Sequence, residues 1–371
     1  MTLVVESPGA AVLHRSETLP LTAYRSPLTH VFGAIAARCT EIHMSSALAL
    51  HASLPYLVRV LIDLTAEFFD LLAAPDPEAA YRDYLERHRA VLASYWHNYV
   101  LDLDSPHAIE VIHRAVTADR TDLKVLLASV DVPALVNDAL QRAHDLLQVD
   151  RPTDCYLMVG LGAANAGELV VRGRGAIFLS LEHFTGRANP QTYGLGLAPE
   201  LLPLWVGHEM AHTVRYTSPA SRSEMRTLVE AFGGEYDYWM TGSRATLREH
   251  LVNEGIAVHA AQMVAPGTEA SHYFGYPRGQ YRRLRGLEAF LRRAVEPDLD
   301  QAGLGLRLRY LSGGMSPAAR TVNGKVLPER SGYYLGHRMT EAGVRTMGIA
   351  EAARMGAREF EEYEARAVAS A

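Results

Sequence analysis

Residues 208 to 212 read His-Glu-Met-Ala-His, and no other stretch of the 371-residue chain restricts its folding and chemistry as strongly. On a helix the i, i+4 spacing sets His208 and His212 on one face, where two imidazoles can grip one divalent ion while Glu209 reaches its bound water. Leu204, Trp205, Val206, Met210, Ala211 and Val214 fill the surrounding positions with apolar or small side chains. The helix is therefore expected to be buried, and the polar groups it carries inward need partners. This is the pattern of a metallohydrolase site, with one Zn²⁺ as the expected ion and Glu209 as the general base.

Hydrolytic zinc needs a third protein ligand and an open fourth position. A third histidine at the short downstream spacing is excluded, because Arg215 and Ser218 stand there. A carboxylate from a second helix is the remaining common solution. Glu254, in Asn253-Glu254-Gly255-Ile256-Ala257, lies in an apolar helical run where Gly255 and Ala257 allow close helix approach. Glu230, in Leu228-Val229-Glu230-Ala231, is the rival and sits nearer to His212 along the chain.

In chain order, His208 to His212, Asn253-Glu254-Gly255-Ile256-Ala257 and Ser331-Gly332-Tyr333-Tyr334-Leu335-Gly336 resemble a family of bacterial Zn-dependent proteases of the Glu-ligand (gluzincin) group. Such families are assigned largely by motif and carry a domain of formally unknown function. The resemblance covers about residues 150 to 350. It implies a zincin-like metallopeptidase domain and a Zn²⁺ held by His208, His212 and Glu254; the substrate does not come with the resemblance, and a peptide or protein is the expected partner of the proposed chemistry.

A tetrahedral oxyanion needs a donor opposite the metal, and the 333–337 segment offers Tyr334 first, with Tyr333 and His337 behind it. Arg330 or Arg338 offers a cation for a substrate carboxylate. Glu182-His183, Glu230, Glu235 and Asp237 compete to orient a ligand imidazole. The His107–His113 segment has Glu110 and His113 at i, i+3 but no second copy to build a di-iron bundle.

Hydrophobic residues make up 48% of the chain and the net charge is −6, which suits a globular protein and argues against nucleic acid as a partner. The one basic cluster, Arg278 to Arg293, falls at helical spacing with Leu284, Leu287 and Leu291 and reads as a solvated helix face. Cys39 and Cys155 are too few for a disulfide framework. No basic, then apolar, leader opens the chain, and Met44 to Leu64 is interrupted by His51, Pro55, Arg59 and Asp63. That stretch reads as a buried helix rather than a membrane span, in a cytoplasmic protein.

The expected fold is α+β, mainly α. Residues 1–30 form an extended arm and 31–150 an all-α region, with helices at Leu54 to Leu72, Pro77 to Tyr99, from Ser105-Pro106, and from Pro133 to Leu147. Residues 151–371 form the zincin-like domain, opening with short strands at Cys155 to Leu161, Glu168 to Val171 and Ala176 to Leu181. Gly160-Leu161-Gly162 lacks the third glycine of a dinucleotide loop and reads as a turn. Gly175 to Ser180 is expected at the sheet edge, free to pair with an extended substrate.

The leading function is zinc-dependent hydrolysis of peptide or related amide bonds. Two alternatives use the same residues: a non-haem Fe(II) enzyme with two His and one carboxylate, and a non-catalytic binding protein on a metal-stabilised zincin scaffold.

Overall fold

Proline and a capping side chain start three of the N-terminal helices. Asp76 accepts from Ala79 N ahead of Pro77, Ser105 from Ala108 N ahead of Pro106, and Asp131 from Ala134 N ahead of Pro133. The computed structural model describes residues 61–99, 104–162 and 164–369, so the arm at 1–30, Cys39 and most of the Met44–Leu64 stretch lie outside the described residues.

The chain enters as strand β1 (Leu61–Asp63) and continues through helices α1 (Thr65–Leu72), α2 (Pro77–Arg87), α3 (Arg89–Tyr99), α4 (Pro106–Thr117), α5 (Thr121–Ser129) and α6 (Val132–Leu147). Strands β2 (Thr153–Met158), β3 (Ala166–Val171) and β4 (Arg174–Ser180) follow, then a small hairpin of β5 (Ala188–Asn189) and β6 (Gly194–Leu195). The remainder is helical: α7 (Leu202–Thr217), α8 (Glu224–Ala231), α9 (Leu247–Val264), α10 (Arg278–Val295) and α11 (Leu304–Leu311). A second hairpin, β7 (Thr321–Val322) and β8 (Lys325–Val326), precedes α12 (Ser331–Met347), α13 (Ile349–Ala352) and α14 (Glu359–Ala369). The fold is α+β and mainly α, as the sequence pattern indicates.

The Pro77–Tyr99 stretch is two helices, α2 and α3, with His88 between them, and two further details differ from that pattern. Leu61–Asp63 is a strand rather than the end of a helix: it pairs in parallel with β2, and Asp63 Oδ1 then accepts from Thr65 N to start α1. The main sheet has the order β1-β2-β4-β3, so β4, expected at the edge, is internal and β3 is the antiparallel edge strand. Both differences come from long-range pairing, which local periodicity does not encode.

Helix α7 is buried from Leu202 to Tyr216 and lies against β3, β4, α6 and α9. Its apolar positions surround the helix, so it fits only where every face meets other elements. At its C-terminal end Arg215 Nη2 donates to Glu249 Oε1 of α9 at 2.7 Å, with both side chains fully buried. Arg215 Nη1 also donates to the carbonyls of Ala353 and Met355. Arg215 Nε and Glu249 Oε2 have no hydrogen-bond partner among the described residues, so the pair repays only part of its desolvation, and removing one member costs about 3–5 kcal/mol because the other charge is stranded.

Helices α9 and α12 touch backbone to backbone. A Cβ on Gly255 would stand 2.2 Å from Gly336 O, and one on Gly336 would stand 1.8 Å from Leu251 O. The glycines of two separate motifs thus form a single contact. Gly336→Ala or Gly255→Ala should force the helices apart and lower unfolding free energy by about 1–3 kcal/mol or more. Gly286→Ala, on an exposed helical position with nothing within 4 Å of the added Cβ, should stabilise by about 0.5–1 kcal/mol. Chemical denaturation of the three variants checks the contrast.

Candidate metal centre

One turn of α7 presents His208 and His212 with ring centroids 4.9 Å apart. Glu254 projects from α9 into the gap, its Oε2 3.3 Å from His208 Nε2 and 3.7 Å from His212 Nε2. Zinc bonds of about 2.0–2.1 Å at tetrahedral angles hold ligand atoms roughly 3.4 Å apart, and the carboxylate oxygen stands at close to that separation from each imidazole nitrogen. Glu254 Oε2 is buried without a hydrogen-bond partner, a costly state for a carboxylate that a cation relieves. The residues present therefore fit a divalent ion. Glu230 is elsewhere, on the exposed side of α8 in an ion pair with Arg226.

Aromatic rings orient both imidazoles. Tyr333 stacks on His208 at 6.2 Å and 19°, and Trp205 tilts against it at 5.3 Å. Tyr216 stacks on His212 at 6.0 Å and 23°. The Tyr216 hydroxyl donates to Glu168 Oε1 (3.0 Å) and accepts from Asn253 Nδ2 (2.7 Å). Asn253 thus ties the ligand helix α9 to the edge strand through a phenol on α7.

Glu168 is the residue that motif reading missed. It lies on β3, and its carboxylate clusters with Glu209 and His212 within 4.8 Å. Its only signal in the sequence is an acid standing alone in the short apolar run Leu169-Val170-Val171 and its approach.

Burial dominates the electrostatics. It lowers His208 to about 3 and depresses His212 as well, so both imidazoles are neutral, the form that binds a metal. Burial, followed by the Glu168 and Glu254 carboxylates, raises Glu209 well above the usual range. Glu254 is raised by burial against the opposing pull of His212. Three carboxylates converge on two neutral rings, and a bound cation is the charge that would reverse the carboxylate shifts.

The 333–337 segment divides. Tyr333 stands over His208, with Glu254, Arg330 and Glu209 among the groups that act on its hydroxyl. Tyr334 points the other way, its hydroxyl donating to Glu288 Oε2 at 2.7 Å. His337 is also turned from the cluster: its ring stacks on His259 at 4.1 Å and its Nε2 faces Gln262 Oε1. Glu182 accepts from Gly160 N and Gly162 N and so holds the glycine turn, Glu235 accepts from Arg172 N, and Asp237 accepts from Met240 N. None of these three orients a ligand histidine. His113 pairs with Glu78 on the surface, and the arginines at 282, 283 and 285 form the solvated face of α10.

The fold and the cluster together describe a mainly helical α+β protein with a buried two-His, one-Glu group able to hold a metal. Residues 238–362 match the family model described as "Predicted Zn-dependent protease (DUF2268)", in agreement with the resemblance read from the motifs. The matched span includes Glu254, Arg330 and Tyr333 and begins after the helix that carries His208 and His212. No curated protein and no solved structure matches the chain. Among the described residues no helix is long and apolar enough to cross a membrane.

Two measurements follow. Elemental analysis and chelator competition should find one divalent ion per chain, with affinity reduced by more than about 100-fold in His208→Ala or Glu254→Gln and unchanged in Glu230→Gln. The second concerns His259 and His337, whose pKa values burial lowers to about 4 and about 2. Below about 6.5 the unfolded chain takes up protons that the fold refuses, so stability falls with pH, the His259 share levelling near pH 4 and the His337 share continuing to about 2. At pH 5 the loss is about 2 kcal/mol per histidine, and His337→Phe should flatten the dependence of Tm on pH between 6.5 and 4.5.

Proposed function

We propose that the protein is a zinc-dependent peptidase or closely related amide hydrolase, with residues 151–371 forming a zincin-like catalytic part. The observation that carries this reading is the approach of Glu254 Oε2 to His208 Nε2 and His212 Nε2 at 3.3 and 3.7 Å, with the Glu209 carboxyl in the same cluster. The family description of residues 238–362 supports it.

Bound Zn²⁺ supplies Lewis acidity and makes water a nucleophile at neutral pH. Burial, then the neighbouring carboxylates, push the Glu209 carboxyl toward its protonated form. Once a cation offsets those carboxylates, Glu209 accepts the proton of the attacking water and returns it to the leaving amine nitrogen. Tyr333 supplies the oxyanion donor. Burial and Glu254 push its pKa up, so its hydroxyl keeps the proton it donates.

Substrate alignment falls to β3. Its C-terminal half is covered, with Tyr236 N donating to Val170 O, while Ala166, Gly167 and Glu168 are half-buried on the outer edge. An extended peptide pairing there lies next to Glu209, since Glu168 is the cluster's member on that strand.

Glu209→Gln should retain the metal and lose about 10²–10⁴-fold in kcat on a diverse peptide mixture followed by mass spectrometry. Cleavage by Glu209→Gln at the wild-type rate, or no cleavage of any peptide by zinc-loaded wild type, would refute the reading.

A further inference from the structure

The residue that opens α12 is unusual in conformation and in charge. Arg330 has φ of +54°, in the left-handed region that a side chain with a Cβ normally avoids. Its surroundings hold it there: the Tyr276 hydroxyl donates to its carbonyl oxygen, and Gln280 Nε2 donates to the preceding carbonyl of Glu329 at 2.7 Å. Backbone strain that persists under such restraint clusters at functional sites.

The conformation lays the guanidinium over the Tyr333 ring, its central carbon 4.4 Å from the centroid. Tyr333 is the same ring that stacks on His208. Gly275 makes room for the guanidinium, since a Cβ there would stand 2.9 Å from Nη1. Neighbouring arginines are neutralised: Arg338 pairs with Glu288 and Glu341, and Arg320 with Glu329 at 3.3 Å. Arg330 makes no ion pair within 4.0 Å among the described residues; its guanidinium meets the Tyr333 hydroxyl and, through Nη1 at a long 3.4 Å, Gly275 O, neither of which carries charge. The acid whose field it feels most is Glu254, whose charge a metal ion takes up.

A half-buried guanidinium on an aromatic face, without a counter-ion and one ring from the metal ligands, is a receptor for a carboxylate, which its planar fork binds by two parallel hydrogen bonds. We propose that Arg330 is a specificity-determining residue that binds a substrate carboxylate, so that the site selects peptides carrying negative charge close to the scissile bond. The inference rests on the peptidase reading above. One residue advances an extended chain by about 3.3–3.6 Å, so a carboxylate that lies past the aromatic contact belongs to a residue near the cleaved bond. The carboxylate is either a C-terminal one or an Asp or Glu side chain.

Two hydroxamates identical except for a terminal carboxylate or its methylamide test the assignment by calorimetric titration into the zinc-loaded full chain. The wild type should prefer the carboxylate by about tenfold to a hundredfold. Arg330→Gln should bring the ratio close to one with zinc stoichiometry unchanged, and Arg330→Asn, which suits a left-handed position, serves if the glutamine variant misfolds. Equal wild-type affinities, or a preference that survives both substitutions, overturn the role of Arg330 and leave the metal site standing. A chain that binds neither zinc nor hydroxamate overturns the peptidase reading and this inference with it. Peptide pairs then separate the two sources: free acid against amide at the C-terminus, and Asp against Asn beside the scissile bond. The pair whose kcat/KM preference vanishes in Arg330→Gln identifies the carboxylate, whereas an equal loss on all four peptides overturns a role in specificity.

Discussion

The contact between Gly255 of α9 and Gly336 of α12 is the constraint on which the centre depends. With no side chain at either position the two backbones meet, and a single methyl group would overlap a carbonyl oxygen. Glu254 immediately precedes one glycine, and Tyr333 lies one turn before the other. The Glu254 carboxylate and the phenol over His208 are therefore placed by the same contact. The buried Arg215–Glu249 pair then fixes α7 against α9, which sets the two histidines opposite that carboxylate. Helix positions defined by backbone contact and a buried ion pair leave little freedom for these side chains to drift, and a metal site would need that preorganisation.

The electrostatics of the centre follow from its depth. Glu168, Glu209 and Glu254 arrive from a strand and two helices and face imidazoles that burial keeps neutral. Such an accumulation is unfavourable by itself, and positive charge is what it lacks. Tyr216 and Asn253 satisfy part of the demand through hydrogen bonds, and Arg307, bonded to the Tyr236 hydroxyl behind Tyr216, adds a cation at a distance. The remaining deficit lies where His208, His212 and Glu254 converge.

Much of this site was readable before folding was considered, because its ligand helix obeys a local rule: residues four apart share a face. The capped starts of α2, α4 and α6 were readable for the same reason, since serine or aspartate followed by proline acts within one turn. Other features were not. Tyr333 and Tyr334 are adjacent in one helix and so face different ways, and only the packing around α12 decides that Tyr333 meets His208 while Tyr334 meets Glu288 of α10. Glu168 joins the cluster through a strand order in which β4 is internal and β3 is the edge, and that order arises from pairing between distant segments.

By itself, then, the sequence determined the chemistry available: two imidazoles and a carboxylate on one helix, a second helix with a glutamate beside a glycine, and a glycine- and tyrosine-rich helix to meet it. Tertiary structure decided which glutamate approaches the histidines, which tyrosine faces them, which strand is left at the edge and which arginine stands near them with no ion pair among the described residues. Side-chain spacing along a helix is set by its 3.6-residue turn and is legible from residue order. The direction a buried helix faces depends on every element around it, and that information is spread over the whole chain.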